Sequence, residues 1–487
     1  MRWSRWVGYW LVSAGLGCSS TPDIQILGES TRLSRAEPSP RVSAVFDGHV
    51  VRLVAARGET LGLSVRTTDG RRRSVRLELP GASVQGFEVK TLLVRRASTS
   101  MYGPSTGVGE YPDPLVPVGE AVSSTGLAYF DVNVAREASP GRREGALHVG
   151  ELSLPVVLDV EAVSVDLKSN PLVWAFYLPK EIARVHGLPD GNGADLVDKE
   201  AEYHELLREH GVLLASDLGP ERFPARRRFV RQTKYWPVAV DTSSDAAIRR
   251  DVRAWLDAFR SLSATPFTIP VDEPRSLAEK LRARHIADVI GQAGGGGPRL
   301  LRGVTDTNDP VYGDSIDVFL SPRNVSGARM WTYNGRPPQA GSVILDTDGV
   351  ALRTWGWIAF RYHVELWYLW EALYYSDRYN HRGPTDVMTD PVTFFDGEDL
   401  GNGDGVLVYP GPLPSLRLKA LRRGLTDRLL LTKLESCGGP ARAIARRLVP
   451  RALGEGRGRR SWSTDERVWE QARREVLAAI REHCHGR

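Results

Sequence analysis

Two adjacent carboxylates, Asp272 and Glu273, are the residues of this sequence best placed to do chemistry. They follow a short apolar run at residues 267–271, which predicts a buried strand, and Pro274 ends that strand because it has no N–H for a ladder. Apolar residues at helical spacing over residues 275–291 predict a helix next. Acids at the end of a barrel strand occupy the position from which such folds donate and accept protons.

A purely structural role for this acidic pair is the alternative. Asp272 has the side chain of a helix N-cap, and Glu273 and Pro274 would then be the first helical positions, where both residue types are favourable. The organisation of the surrounding chain favours a site over a cap.

Residues 166–411 alternate between strands and helices, which predicts a (β/α)8 barrel. Strands are predicted at residues 172–178, 212–216, 234–240, 267–271, 299–304, 315–320, 329–333 and 366–375. Helices are predicted at residues 195–210, 246–262, 275–291 and 351–362, and those after the fifth and sixth strands look short or missing. The acidic pair follows the fourth strand, at the end where barrels of this kind place their active sites.

The flanking regions differ in character. Residues 41–165 hold short strands punctuated by Gly, Pro and Asp, which predicts a β-sandwich. Residues 412–487 are helical, and we expect these helices to pack on the outside of the barrel. The sequence therefore predicts a multidomain protein of α/β plus all-β class.

The N-terminus is typical of an export signal. A basic start is followed by an apolar stretch at residues 6–17 that is too short to span a bilayer. Small residues precede Cys18, as in a bacterial lipoprotein signal. We predict a signal peptide at residues 1–17, lipidation of Cys18 and a tether at residues 18–40, which anchor the protein at the outer membrane or cell surface. The alternative is ordinary secretory cleavage near Gly17, giving a periplasmic or secreted protein.

The other two cysteines, Cys437 and Cys484, form an even pair in an oxidising compartment. A disulfide and two free buried thiols both fit the sequence. No metal-ligand spacing is visible, and the glycine-rich loop at residues 399–405 lacks the bidentate Glu of an EF-hand. We expect neither a metal ion nor a cofactor.

The charge distribution argues against a nucleic-acid partner. The chain carries 64 basic and 59 acidic residues, a formal net charge of +5. Its arginine clusters are short and scattered, whereas a nucleic-acid footprint needs one coherent basic surface.

Several stretches together resemble family 123 glycoside hydrolases and their relatives. The stretches are YPDPLVP at residues 111–117, FDVNV at 130–134, SPG at 139–141, VDEP at 271–274, GDGVLVYPG at 403–411, SLR at 415–417 and LRRG at 421–424. The resemblance covers roughly residues 45–435. Each motif alone is modest, but their order and spacing are fairly specific.

The resemblance implies a glycosidase acting on a β-linked 2-acetamido sugar, with N-acetylgalactosamine as the expected sugar. In such substrate-assisted enzymes, the acetamide oxygen attacks C1, which is an exception to the two-carboxylate rule. By resemblance, Asp272 orients the acetamide N–H, and Glu273 serves as general acid and then base with net retention. Neighbouring residues of a regular strand point to opposite faces, so the chain must bend there. The alternative is a non-catalytic, glycan-binding surface lipoprotein on the same fold.

A sugar site also needs aromatic platforms and hydrogen-bonding groups. We predict substrate contacts from aromatic and polar residues near the ends of the later strands: Trp331, Tyr333, Trp370, Asp306, Asn308 and Asp404. Core packing is the alternative for each aromatic residue, and a turn role is the alternative for Asp306 and Asn308.

Overall fold

The structure is a computed structural model of the 487-residue chain, and it describes residues 24–32, 42–216, 218–294, 299–323 and 329–484. The predicted signal peptide and Cys18 lie outside these residues. The first strands are β1 (Ile24–Gly28), β2 (Val51–Arg57), β3 (Thr60–Thr67), β4 (Arg73–Glu78), β5 (Ser83–Val94), β6 (Gly109–Gly119), β7 (Ala121–Ser124), β8 (Leu127–Asn133), β9 (Gly141–Val149) and β10 (Leu152–Ser164).

These ten strands form two five-stranded sheets. Their orders are β1-β3-β8-β5-β6 and β2-β10-β9-β4-β7, and every pairing is antiparallel except β2 with β10. Alternate residues of β2 point inward, where Leu53 joins Leu63 of β3 in an apolar cluster drawn from both sheets, while Arg52 points out. The period-two pattern of the sequence thus places one apolar face of each sheet on a shared core.

The predicted tether at residues 18–40 is wrong for Ile24–Gly28. This segment is β1, an edge strand paired antiparallel with β3, and Ile26 and Leu27 are buried. The apolar residues of IQILG explain the difference. At the edge of a sheet they gain backbone hydrogen bonds and an apolar surface to pack against, which a solvated linker would not provide.

The next strands are all parallel: β11 (Val173–Phe176), β12 (Val212–Ala215), β13 (Tyr235–Pro237), β14 (Thr265–Thr268), β15 (Leu301–Val304), β16 (Val318–Phe319), β17 (Met330–Tyr333) and β18 (Val364–Leu369). They form two four-stranded sheets, β12-β11-β18-β17 and β13-β14-β15-β16. A parallel bridge from Leu320 to Trp331 connects β16 with β17. Within the described chain, β12 and β13 share no ladder, so closure of the predicted barrel stays a prediction.

Helices accompany most of these strands: α1 (Pro179–His186), α2 (Ala194–Glu209), α3 (Phe223–Arg226), α4 (Asp245–Phe259), α5 (Leu277–Ala293) and α6 (Thr354–Tyr362). Between β15 and β16 the chain makes only a 3₁₀ turn at Pro310–Tyr312, as the missing apolar periodicity predicts. Two predicted strands end earlier than expected. The fourth ends at Thr268, shortly before Pro270, and the eighth ends at Leu369, before Trp370.

The remaining elements are short hairpin strands and three helices. They are β19 (Ser376–Asp377), β20 (Gly383–Pro384), β21 (Val392–Phe395), β22 (Leu400–Asn402), β23 (Val408–Tyr409), β24 (Leu413–Pro414), α7 (Leu416–Ser436), α8 (Ala441–Leu448) and α9 (Glu466–His483). A disulfide joins Cys437 to Cys484, at the C-terminal ends of α7 and α9. No helix among the described residues is both long and apolar enough to cross a membrane.

The expectation that these three helices pack on the outside of the barrel stays a prediction, but α7 is itself buried along most of its length. Its basic side chains reach acids of the N-terminal sheets: Arg417 pairs with Asp113 at 2.9 Å, and Lys419 pairs with Asp131 at 2.7 Å. A helix this basic is expected on a surface. It is buried here because strands from far earlier in the chain supply the matching carboxylates.

One cluster of buried ion pairs, called the α7 network below, links α7 and α9 with the residues directly before β3 and α6. Its members are Glu59, Arg353, Arg423, Asp427, Glu470 and Arg473. Arg423 contacts Glu59 at 2.6 Å and Glu470 at 2.9 Å. Arg473 contacts Asp427 at 2.6 Å and Glu59 at 2.5 Å. Each carboxylate therefore has more than one guanidinium partner.

Candidate active site

The segment after β14 presents the acidic pair. The chain leaves the sheet after Thr268, and α5 begins at Leu277. The N-cap of α5 is Ser276, whose hydroxyl accepts the Glu279 N–H at 3.2 Å, while the Glu279 carboxylate accepts the Ser276 N–H at 2.8 Å. This capping box satisfies the helix terminus, so the N-cap alternative for Asp272 is wrong. The acidic pair is thus free of a capping role.

Glu273 supplies the bend that two neighbouring acids need. Its φ of +41° lies in the left-handed region, which a residue with a side chain rarely adopts. Strained backbone of this kind persists only where the surroundings hold it in place. The bend comes directly after Asp272, so the two side chains need not point to opposite faces as they would in a regular strand.

Thr305, at the carboxyl end of β15, bonds to both members of the pair. Its hydroxyl donates to Asp272 Oδ1 at 2.6 Å and accepts the Glu273 N–H at 2.6 Å. The Thr305 side chain is itself buried. The strand neighbouring β14 therefore fixes the position of the bend.

Glu273 points towards another strand. Its Oε1 accepts the Tyr333 hydroxyl at 2.6 Å, and Tyr333 is the last residue of β17. The exposed Arg275 guanidinium lies 3.4 Å from Glu273 Oε2. The two carboxylates are thus held by residues of two different strands, both at carboxyl ends.

The electrostatics of the site raise the pKa of Asp272. Both acids are exposed, yet the protein around the Asp272 carboxyl partly desolvates it and raises its pKa. The hydrogen bond from Thr305 opposes this shift, and the charge of Glu273 adds to it. Desolvation, together with the carboxylate of Glu273, also raises the pKa of Tyr333, so its hydroxyl stays a donor.

Trp370 extends the site beyond β18. Its backbone N–H donates to Asn334 Oδ1 at 3.0 Å, and Asn334 directly follows Tyr333. Its indole N–H donates to Asp404 Oδ1 at 3.0 Å. Trp370 is half-buried, so part of its ring remains accessible. Two hydrogen bonds therefore orient this ring at the same end of the sheets as the acidic pair.

Asp404 acts through Trp370 and does not line an open surface. Its side chain is buried, and burial raises its pKa to about 6, although the hydrogen bond from Trp370 opposes the shift. The prediction of a direct substrate contact is therefore wrong for Asp404 in this conformation.

Trp331 lies in the core, which corrects its predicted role as a sugar platform. It is 0% exposed and packs edge-on against Tyr235 and Phe267, with ring centroids 4.7 and 4.8 Å away. Trp331 faces the core because successive side chains of a strand point to opposite faces of the sheet. The core-packing alternative is the right one here.

The loop after β15 carries Asp306 and Asn308. Asp306 accepts the Tyr312 hydroxyl at 2.8 Å and pairs with Lys280 at 2.9 Å, and these partners lower its pKa against the effect of burial. It is therefore engaged in holding the loop. Asn308 is exposed on the same loop and stays a predicted contact.

Sequence reasoning missed Thr305 and Asn334. Each is adjacent to a residue that was selected: Thr305 precedes Asp306, and Asn334 follows Tyr333. The available signal was position alone: each lies at the carboxyl end of a predicted strand. Among the described residues, no group of acids, histidines and cysteines could hold a metal ion.

The comparisons with known proteins bear on the fold. The chain is similar to a family 123 glycoside hydrolase from Clostridium perfringens, whose structural analysis concerned glycolipid glycan hydrolysis. The TM-score is 0.66 at 13% identity, over 95% of this chain and 98% of that chain. A GH10 xylanase from termite gut with a bacterial Ig-like domain matches at 10% identity, over 78% of this chain and 100% of that chain. Its TM-score of 0.22 is too low to show a shared fold.

No family model matches the sequence, and neither does any curated protein. At 13% identity, the likeness to the Clostridium enzyme shows the fold alone. The chain has a mixed α/β, multidomain fold like that of this glycoside hydrolase.

Proposed function

We propose that the protein is a glycosidase that removes a β-linked 2-acetamido sugar, expected to be N-acetylgalactosamine, by a substrate-assisted retaining mechanism. The observation that carries this proposal is the acidic pair itself. Asp272 and Glu273 are adjacent in sequence, the chain bends at the left-handed Glu273, and the two side chains bond to Thr305 and Tyr333 at 2.6 Å each. Two-carboxylate glycosidases instead place their acids on opposite sides of the bond, at least about 5 Å apart.

The first step forms an oxazolinium ion. Asp272 accepts a hydrogen bond from the acetamide N–H, which makes the acetamide oxygen a better nucleophile. That oxygen attacks C1 as the bond from C1 to the leaving oxygen breaks, and protonated Glu273 gives its proton to the leaving oxygen. The developing positive charge lies on the acetamide, next to the Asp272 carboxylate.

The second step reverses the roles. Glu273, now ionised, takes a proton from water, and the water oxygen attacks C1. The bond from C1 to the acetamide oxygen breaks, and the acetamide is restored with C1 in its original configuration. The Tyr333 hydroxyl donates to Glu273 Oε1 and orients this carboxyl.

The proposed chemistry requires a fold that brings these residues together at one end of a sheet. We infer that β11–β18 form an irregular (β/α)8 barrel and that the two N-terminal sheets form a β-sandwich beside it. The parallel order of the strands supports the barrel, as does the location of Thr305, Tyr333 and the acidic pair at carboxyl strand ends. Tyr333 and Trp370 are the residues we expect to contact the sugar, because their accessible rings suit its apolar C–H face.

We further propose that the protein is exported and anchored through lipidated Cys18. The disulfide between Cys437 and Cys484 supports an oxidising compartment. Radiolabelled palmitate should label the intact protein in a bacterial host and should not label a Cys18→Ser variant. Secretion of both forms without label would instead favour ordinary signal cleavage.

The activity test compares aryl β-N-acetylgalactosaminide, aryl β-N-acetylglucosaminide and aryl β-galactoside. We expect turnover of the acetamido substrates alone and inhibition by a thiazoline analogue of the oxazolinium. Glu273→Gln and Asp272→Asn should each lower kcat by about 10²- to 10⁴-fold, the usual range for a proton-transfer group. Glu398→Gln, at an exposed position outside the site, is the matched control.

Two outcomes would redirect the proposal. Wild-type activity in either variant of the acidic pair would remove its assigned roles. Measurable glycan binding without turnover of any acetamido substrate would favour a non-catalytic glycan-binding protein on the same fold.

A further inference from the structure

The hydroxyl of Thr305 bonds to both members of the acidic pair, to the Asp272 carboxylate and to the Glu273 backbone N–H. A threonine hydroxyl has one proton to donate and lone pairs that accept. The Glu273 backbone N–H can only donate, so at 2.6 Å the Thr305 oxygen is its acceptor. The single Thr305 proton is then directed to Asp272 Oδ1, also at 2.6 Å. The direction of both bonds is therefore fixed by chemistry.

This arrangement has two consequences for Asp272. Oδ1 is committed to the protein, which leaves Oδ2 for a ligand. The bond also requires Oδ1 to be an acceptor, which favours the ionised carboxylate. Thr305 is buried, and its β-branched side chain has few rotamers, so it holds this direction firmly.

The arrangement of bonds at Thr305 has one consequence for Glu273. The left-handed φ of +41° would relax if nothing held the Glu273 N–H. The bond to Thr305 anchors this N–H to the end of β15. Since the Glu273 side chain starts from that backbone, the direction of its carboxyl depends on the same bond.

We propose that Thr305 is a positioning residue that sets the orientation of Asp272 and the bend at Glu273 together, so that the two carboxylates act as one unit. This inference rests on the proposed substrate-assisted function. Thr305 acts through Asp272 and Glu273 and has no direct part in bond making or breaking.

The test compares Thr305→Val, which keeps the shape and removes the hydroxyl, with Thr305→Ser, which keeps the hydroxyl. Thr307→Val is the control, because it makes the same change two positions along the chain. For Thr305→Val we expect kcat on the acetamido substrate to fall about 10- to 100-fold, the size of a lost hydrogen bond to a charged group. KM should change by less than about threefold, since a positioning defect acts mainly on the transition state. Thr305→Ser should recover most of kcat, and Thr307→Val should match the wild type.

The pH profile separates positioning from a merely structural role. The Thr305 bond lowers the pKa of Asp272 against the effect of burial. Thr305→Val should therefore move the acidic limb of kcat/KM to higher pH, whereas Thr305→Ser should not. A variant that only loosened the loop would lose activity or stability without moving this limb.

A second readout does not depend on turnover. Carbon-13 NMR titration of the aspartate carboxyls, with Asp272→Asn to assign the signal, reports the pKa of Asp272 directly. A higher pKa in Thr305→Val than in the wild type and Thr305→Ser supports the coupling, even if no acetamido substrate is cleaved and the proposed function fails. An unchanged pKa, or an unchanged kcat in Thr305→Val of an active enzyme, would overturn it.

Discussion

The α7 network and the acidic pair are two ways of holding carboxylates, and the difference lies in their partners. In the α7 network, Glu470 and Asp427 are buried among guanidinium groups, whose positive charges outweigh desolvation and lower the pKa of both acids. In the acidic pair, the partners at 2.6 Å are neutral hydroxyls of Thr305 and Tyr333. Desolvation by the surrounding protein prevails there, and the pKa of Asp272 is raised.

This contrast indicates what each region can do. A carboxylate fixed by several guanidinium groups stays ionised and offers nothing to a ligand, so it serves to hold elements together. A carboxylate held by hydroxyls is also oriented, but one of its oxygens stays available to a ligand, and the group can still take up and release a proton. The chain thus keeps its strong ion pairs at the junction of its sheets and helices and leaves them out of the site.

The largest expected effect comes from removing one charge of the α7 network. Glu470→Gln leaves Arg353 and Arg423 short of a partner in the interior. We expect the free energy of unfolding to fall by about 3–5 kcal/mol, as when one side of a buried pair is lost. Denaturant unfolding followed by circular dichroism measures it.

The matched control on the same helix is Glu475→Gln, whose pair with Arg447 is solvent-exposed. It should cost about 1 kcal/mol or less. Glu273→Gln should also leave the free energy of unfolding within about 0.5 kcal/mol while removing activity. Equal stability losses in the Glu470 and Glu475 variants would show that burial of the α7 network does not matter.

The second prediction separates the two regions by pH. The pKa values of Glu470 and Asp427 are lowered in the folded protein, so their stabilisation is complete above the unfolded values of about 4.3 and 3.9 and is lost as the pH falls below them. The pKa of Asp272 is raised, so the ionised form is lost at a higher pH. Activity should therefore decline before the fold does as the solution is acidified.

Parallel measurements of kcat/KM and of thermal unfolding from pH 7 to pH 3 check this order. A protein that lost both together would mean that the acid limb reports unfolding and not Asp272.

The smallest expected effect is at Arg275, a cation that lies close to Glu273. Its guanidinium is 86% exposed and lies 3.4 Å from the carboxylate. Exposed pairs contribute about 1 kcal/mol or less and are screened by salt. Arg275→Gln should change kcat/KM by about threefold or less, and the difference should vanish at high ionic strength. A salt-independent loss of tenfold or more would place Arg275 among the groups that bind substrate.

Local patterns in the sequence predicted much of the secondary structure around the site. The helix predicted at residues 195–210 is Ala194–Glu209, and the strand predicted at 212–216 is Val212–Ala215. Apolar spacing suffices for such elements because it reflects the period of the helix or strand itself. The strand before the acidic pair ended early, since Pro270 and the bend at Glu273 outweigh the apolar character of Ile269 and Val271.

Tertiary contacts overturned the predictions that rested on residue type alone. Trp331 has the side chain of a sugar platform, but its strand position turns it into the core. The basic residues of α7 are of a type usually found on a surface, yet Asp113, Asp131 and Glu59, which lie far from them in the sequence, make its burial possible. Neither outcome has a local signal, because each depends on residues that are distant in the sequence.

By itself, the sequence determined the position of the acids among the secondary-structure elements: two adjacent carboxylates after a strand and before a helix. Only the tertiary structure decided how they are held. The hydroxyls of Thr305 and Tyr333 reach the acidic pair because parallel strands end at a common edge, and that edge brings together residues 32 and 60 positions along the chain from Glu273. Spacing along the chain predicts an element, whereas a hydrogen bond between elements requires the fold.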